Sequence, residues 1–217
     1  MNHIEAAVTQ FINEGEMLKA YAYYNYLLQL FLTESHLSNL YNYLDDDISL
    51  DGAYMDYIQR DEVRKALHVG GTNFTNIGVV YRKLVPDFMR TAKNWLEELL
   101  ENYRVMLYNG HLDIIVAYHP SVNSYNSLMF SGTTEFKQAK RQPWYHDGNV
   151  AGYYKTAGKL TEVMIRGAGH MVPADKPAAS LGLISAFARG IPLDKDTGAL
   201  VDVEKNAPRR RQLPLKH

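Results

Sequence analysis

The chain has 217 residues, 46% of them hydrophobic, with 23 basic and 24 acidic side chains and a formal net charge of -1. A balance this close to neutral provides no electrostatic footprint for nucleic acid or for an anionic membrane surface. With no cysteine there is neither a disulfide framework nor a thiol nucleophile, and the length suits one domain or a small pair. Met1–Glu5 shows neither the basic start nor the apolar core of a signal peptide, and no apolar run reaches the length of a membrane span. The expectation is a cytosolic protein or one whose true N-terminus lies elsewhere.

In chain order, Ile4, Ala7, Val8, Phe11 and Ile12 recur at helical spacing, Gly15 interrupts, and a second helix resumes from Glu16 to Leu32. Many of the 16 tyrosines fall between residues 21 and 57. They read as packing between helices, with a ligand-binding surface as the other use of so many aromatic rings. Thr33 to Asp51 reads as a loop ending in Asp45-Asp46-Asp47. Those carboxylates suit Ca²⁺ or Mg²⁺ chemistry but lack further ligands at a suitable spacing, which favours a solvated turn.

Asp61 is expected to cap a short helix, Glu62–His68, ended by Gly70-Gly71. Asn73-Phe74-Thr75 is a glycosylation sequon, meaningful only on the secretory route. A stronger helix is expected from Asp87 to Leu100, with Phe88, Ala92, Trp95, Leu96, Leu99 and Leu100 as its stripe. The strand Val105–Tyr108 follows at once, in the helix-then-strand order of a parallel sheet with crossovers. Ile114–Tyr118 should begin another helix, whose continuation Pro120 obscures. Val150–Lys155 and Leu160–Ile165 read as a hairpin. A last helix follows Asp175 as its cap, with Pro177 near its start, and runs through Arg189 to Gly190.

Two strand ends carry the chemistry. Val163-Met164-Ile165 empties into Arg166-Gly167-Ala168-Gly169-His170-Met171-Val172-Pro173. There Gly167 and Gly169 permit backbone angles or close approaches that a Cβ forbids, and Pro173 discourages a helix from running back over the histidine. Upstream, Val105-Met106-Leu107-Tyr108 ends in Asn109-Gly110-His111-Leu112-Asp113. An imidazole at one strand end and a carboxylate at another match a general base and its orienting partner, in the order Asp then His. His111, Asp113 and His119 also sit within nine positions, but a metal site needs a further ligand and a fixed geometry, so no metal is assigned. The 217 residues contain no Gly-x-Ser-x-Gly. Ala178-Ala179-Ser180-Leu181-Gly182 imitates it, but this segment follows the histidine inside a helix, and Ser180 reads as a helix serine.

Tyr-Asn-Gly-His-Leu-Asp followed by Gly-Ala-Gly-His-Met-Val-Pro resembles the second half of a serine carboxypeptidase, nearest the vitellogenic and vitellogenic-like branch. Asp61–Val69, Ala151-Gly152-Tyr153 and the closing helix Leu181–Arg189 extend the likeness from about Ile4 to about Pro192. The resemblance implies an incomplete α/β-hydrolase fold. It divides the chain into a helical cap-like segment (1–60) and the C-terminal part of the hydrolase core (61–192); beyond Gly190 the pattern fades, and Arg209-Arg210-Arg211 and Lys216 mark 193–217 as a flexible basic tail. It implies Asp113 and His170 as triad members, Met171 beside the pocket for the leaving residue, no cofactor, and peptide C-termini as substrate.

The nucleophile's Gly-Glu-Ser-Tyr-Gly-type elbow and the Gly-rich oxyanion segment belong before residue 1. The expectation is therefore a half that is inactive alone until completed by an N-terminal half. The alternative is a nonenzymatic homologue that docks a partner, such as a homologous chain, through its tyrosine-rich helices. The family is secreted or lysosomal and its secreted members usually carry disulfides, so a chain without cysteine or signal peptide leaves the compartment open.

Overall fold

A computed structural model describes residues 1–45, 53–72, 74 and 78–200. Asp46 and Asp47, the sequon's Asn73 and Thr75, and the basic cluster 209–211 with Lys216 lie outside the described residues. The chain divides into two compact units, residues 1–39 with 45–92, and residues 40–44 with 93 onward.

The first unit is helical: α1 (Asn2–Asn13), α2 (Met17–Ser35), α3 (Ala53–Gln59), α4 (Asp61–Ala66) and α5 (Gly78–Phe88). Gly15, at φ +77°, makes the break between α1 and α2. Aromatic rings join the helices edge to face, with Phe11 on Tyr23 at 5.1 Å and Tyr21 on Phe88 at 5.2 Å between centroids. Tyr23, Tyr26, Tyr54 and Tyr57 remain exposed.

Two sequence expectations fail here. Asp61 is the first residue of α4 and Arg60 holds the cap position without a side-chain bond, so Asp61 acts through its charge in the first turn. The long helix expected over Asp87–Leu100 is two helices, α5 and α6 (Lys93–Asn102). Its apolar stripe was composite. Phe88 packs on Tyr21 and Tyr24 in the first unit, whereas Leu96 and Leu100 belong to a core of the second.

The second unit is built on a four-stranded sheet of β1 (Val105–Gly110), β2 (Gln142–His146), β3 (Asn149–Ala157) and β4 (Leu160–Ile165), in the order β1-β4-β3-β2. β1 and β4 are parallel; the other pairs are antiparallel. The expected hairpin is β3–β4, closed at Gly158-Lys159 with Gly158 at φ +54°. β2 escaped the sequence reading because Pro143 sits inside it. As an edge strand paired only with β3 it accommodates a residue that cannot donate to a ladder.

Side chains alternate across β4. Val163 and Ile165 face α10 (Pro177–Arg189) in a core with Trp144, Leu183 and Ala186. Leu160 faces the opposite core, with Leu100 of α6, Leu128, and Phe136 of α8 (Thr133–Gln138).

Glu162 points the same way as Leu160 and is 1% exposed. Its Oε1 accepts the Tyr118 hydroxyl and lies 3.3 Å from Arg141 Nη2, while Oε2 lies 3.4 Å from Lys155 Nζ without hydrogen-bond geometry. Burial, reinforced by this carboxylate, pushes the Tyr118 phenol well above its usual range, so it stays a donor. Tyr118 begins α7 (Tyr118–Asn126). The helix expected to start at Ile114 is instead a turn over 114–117 followed by α7, with Pro120 in the first helical turn, where its missing N–H costs nothing.

Residues 193–200 are not a tail. Leu193 and Thr197 are buried. Thr197 Oγ1 accepts the Trp144 indole N–H at 3.0 Å and lies 3.1 Å from His146 Nδ1. A buried indole needs an acceptor, and this segment provides it. The Asp196 carboxylate accepts the backbone N–H groups of Gly198, Asp147 and Gly148. These bonds, Gly198's first, hold its carboxyl below the usual range.

A group whose folded-state pKa is depressed contributes stability above its unfolded value, near 3.9, and that contribution disappears as pH falls through the folded value. Asp196→Asn is therefore expected to lower stability at pH 7 by about 1 kcal/mol at most, since the carboxylate is exposed. Denaturant melts of the two proteins should converge as pH drops below about 4. An unchanged gap at pH 3 would contradict this role.

Candidate active site

The register of β1 against β4 places the site. Gly110 pairs with Ile165, so both parallel strands end at one rim, and the chain leaves them as two adjacent loops. The loops are joined at once: His111 N–H donates to Ile165 O at 2.9 Å and Leu112 N–H to Ala168 O at 2.8 Å. A Cβ on Gly110 would lie 2.0 Å from the carbonyl oxygen of Gly169, so only glycine permits this approach. Gly167, at φ +68°, supplies the left-handed turn of the second loop.

This geometry brings His170 Nδ1 to 2.9 Å from Asp113 Oδ2. Asp113 is 5% exposed, and its other oxygen accepts the Val116 N–H at 2.9 Å, which fixes the carboxylate on the 114–117 turn. A carboxylate at Nδ1 calls for a proton there, which leaves Nε2 as the basic nitrogen. The imidazole is about a third exposed, and among the described residues Nε2 has no hydrogen-bond partner. Such a pair can take a proton at Nε2 and stabilise the resulting imidazolium against a buried negative charge.

Met171 follows with an exposed side chain. One helical turn, α9 (Val172–Asp175), begins straight after it with Pro173 in its first turn, so the chain leads away from the imidazole. His111 and His119 are exposed. Among the described residues no group of three His, Asp or Glu side chains is arranged to hold a metal ion.

The supporting contacts made by Leu40–Leu44 had no distinct signal in the sequence. Leu40–Leu44 crosses both loops as a strap. Leu40 O accepts Ile114 and Ile115 N–H at 2.9 and 3.1 Å, Tyr43 N–H donates to Leu112 O at 3.2 Å, and Tyr41 O accepts His170 N–H at 2.7 Å. The Tyr41 ring stands edge-on to the imidazole, 5.0 Å between centroids. Gly169 allows the strap in, since a Cβ there would lie 2.2 Å from Tyr41 O.

Asp175 does not cap α10, whose cap position is held by Lys176. Its Oδ2 accepts Gly169 N–H at 2.6 Å and Asn42 Nδ2 at 3.3 Å, tying the histidine loop to the strap. In the sequence, Asp175 two positions before Pro177 reads as a helix cap, and nothing local marks its bond to Gly169. Ser180 is buried, with its hydroxyl on Val172 O at 3.3 Å, as a helix serine should be.

Asp175→Asn weakens a charge-assisted bond while keeping the shape. It is expected to cost about 1–2 kcal/mol and to speed amide exchange at Gly169 and His170 at least about tenfold, relative to the amides of β4. Equal acceleration everywhere, or none at these two amides, would remove Asp175 from its anchoring role.

A profile of the serine carboxypeptidase family matches residues 1–190. The chain is 41% identical over 155 residues to vitellogenic carboxypeptidase of Aedes aegypti, covering 69% of this chain and 33% of that protein. It is 39% identical over 187 residues to venom serine carboxypeptidase of Apis mellifera, covering 81% and 40%. Among solved structures it resembles Kex1(delta)p, a prohormone-processing carboxypeptidase from Saccharomyces cerevisiae. That match has a TM-score of 0.54 and 25% identity, and covers 70% of this chain and 36% of the yeast one. The chain thus spans between a third and two fifths of the length of these curated relatives. The sheet with its flanking helices is α/β, and it holds the late strands of an α/β-hydrolase fold.

Proposed function

We propose, for a chain that belongs to the serine carboxypeptidase family, that Asp113 and His170 are the orienting carboxylate and general base of a serine-dependent carboxypeptidase whose nucleophile and oxyanion donors come from outside these 217 residues. The observation that carries this reading is the 2.9 Å bond between His170 Nδ1 and the buried Asp113 carboxylate. In the completed site the serine hydroxyl approaches Nε2 and attacks the last peptide carbonyl of a substrate while the imidazole accepts its proton. Asp113 stabilises the imidazolium, which then protonates the departing C-terminal amino acid. Met171, exposed beside the base, contacts that leaving residue.

Without a nucleophile the pair is nearly inert, since losing the nucleophile costs about as much as losing the whole triad. A fluorophosphonate probe should leave the 217-residue chain unlabelled and should label a serine once the N-terminal half of a homologous carboxypeptidase is supplied. In that reconstituted enzyme Asp113→Asn should lower kcat by about 10⁴, and shortening Met171 should change the preferred terminal residue. Labelling of the chain by itself, or a completed enzyme indifferent to Asp113→Asn, would end this reading.

One observation favours a second, nonenzymatic reading. Tyr23, Tyr26, Tyr54 and Tyr57 stand exposed on the helical unit, and amphipathic rings of this kind are favoured contact residues. In this reading the helices dock a partner chain such as an intact homologue.

A further inference from the structure

The end of the sheet away from His170 carries a cavity of about 450 Å³ between the β3–β4 turn, the end of α10 and the residues that follow it. Five strand steps separate Leu160 at this end from Ile165 at the catalytic rim, roughly 17 Å, so the two sites share no residue. The volume falls within the range of small-molecule pockets, and the lining mixes apolar walls with polar and charged groups.

The charges in the lining are unequal. Arg104, Lys140 and Lys159 border the cavity, with Asp194 as the one acidic residue among those lining it. Two of the cations are already positioned. The Arg104 guanidinium stands 5.2 Å from the Phe187 ring centroid, beside Gly190. Lys159 Nζ donates to Glu101 O.

Part of this has a structural explanation, since a guanidinium at the C-terminal end of α10 complements the helix dipole. That accounts for Arg104 but not for Lys140, which reaches the same cavity from the α8–β2 connection. The walls are apolar and partly aromatic, formed by Tyr154, Phe187 and Leu193. Burial, with Asp194 adding to it, pushes the Tyr154 phenol upward, so its hydroxyl remains a donor at neutral pH.

We propose that this cavity binds a small anion with a flat apolar body, its carboxylate or phosphate held by Arg104 and Lys140 and its body against Tyr154 and Leu193. An arginine fork matches either oxyanion in two-point contact, and a lysine adds a mobile point charge. The site is separate from the peptidase reading, and its ligand needs no completed triad.

Benzoate and phenyl phosphate, titrated at constant ionic strength and followed by amide NMR shifts of the purified protein, test this and separate the two head groups. Phenol and inorganic phosphate serve as the arms that lack one half of the ligand. Saturable shifts confined to residues 154–161 and 187–194 are expected for at least one of the two compounds, with each half alone at least tenfold weaker. Lys140→Gln should weaken binding at least fivefold and Lys137→Gln, outside the cavity, should not. Arg104→Gln should weaken it further but also loosens Phe187, so Lys140 is the deciding position. Shifts that never saturate, phenol binding as tightly as phenyl phosphate, or indifference to Lys140→Gln would each overturn the proposal.

Discussion

The parallel pairing of β1 with β4 is the constraint on which the rest of the second unit depends. Two strands far apart in sequence stop at the same level because Gly110 lies opposite Ile165, and each then delivers one polar side chain. A slip of one residue would reverse the facing of every side chain on β1. It would send Met106 away from the α10 core and Leu107 away from the α6–α8 core. The burial of those alternating residues therefore sets the distance between a carboxylate and an imidazole that belong to neither core.

That register alone would leave two mobile loops. Their positions are fixed by backbone groups, and so by small residues. Gly110 and Gly169 let main-chain atoms approach where a side chain would collide. The strap Leu40–Leu44 then accepts or donates across both loops at once. Asp175 closes the arrangement by holding Gly169 and Asn42 together. His170 is thus anchored through its backbone N–H on Tyr41 O, through the neighbouring Gly169 N–H on Asp175, and through its ring contacts with Asp113 and Tyr41, while Nε2 stays open. Anchoring of this kind suits a base that must accept a proton without reorganising.

On the opposite face of β4 the buried Glu162 imposes a different condition. A carboxylate removed from water is tolerated because Tyr118, Arg141 and Lys155 surround it. Tyr118 is also the first residue of α7, directly after the turn that hydrogen-bonds Asp113. The buried charge therefore pins the start of α7, directly after the turn whose Val116 N–H bonds the Asp113 carboxylate. The sequence shows Glu162 only as a polar interruption in an apolar strand.

By itself the sequence determined the local features: the break at Gly15, the β3–β4 hairpin, the last helix ended by Gly190, and the two motifs with Asp113 and His170 at strand ends. These are legible because periodicity, turn residues and strand termini depend on near neighbours. Tertiary structure alone decided what depends on distant partners. The stripe from Phe88 to Leu100 divides between two units: Phe88 meets the rings of Tyr21 and Tyr24, Leu96 and Leu100 join the α6–α8 core, and Trp95 stays exposed. A strand containing Pro143 survives because it lies at an edge. Residues 193–200 dock because the Trp144 indole needs the Thr197 hydroxyl. Asp175 turns from a helix cap into an anchor, and Tyr41 joins the site from far upstream. In each case the deciding partner is remote in the chain, and no local pattern encodes which remote group a buried donor or acceptor will meet.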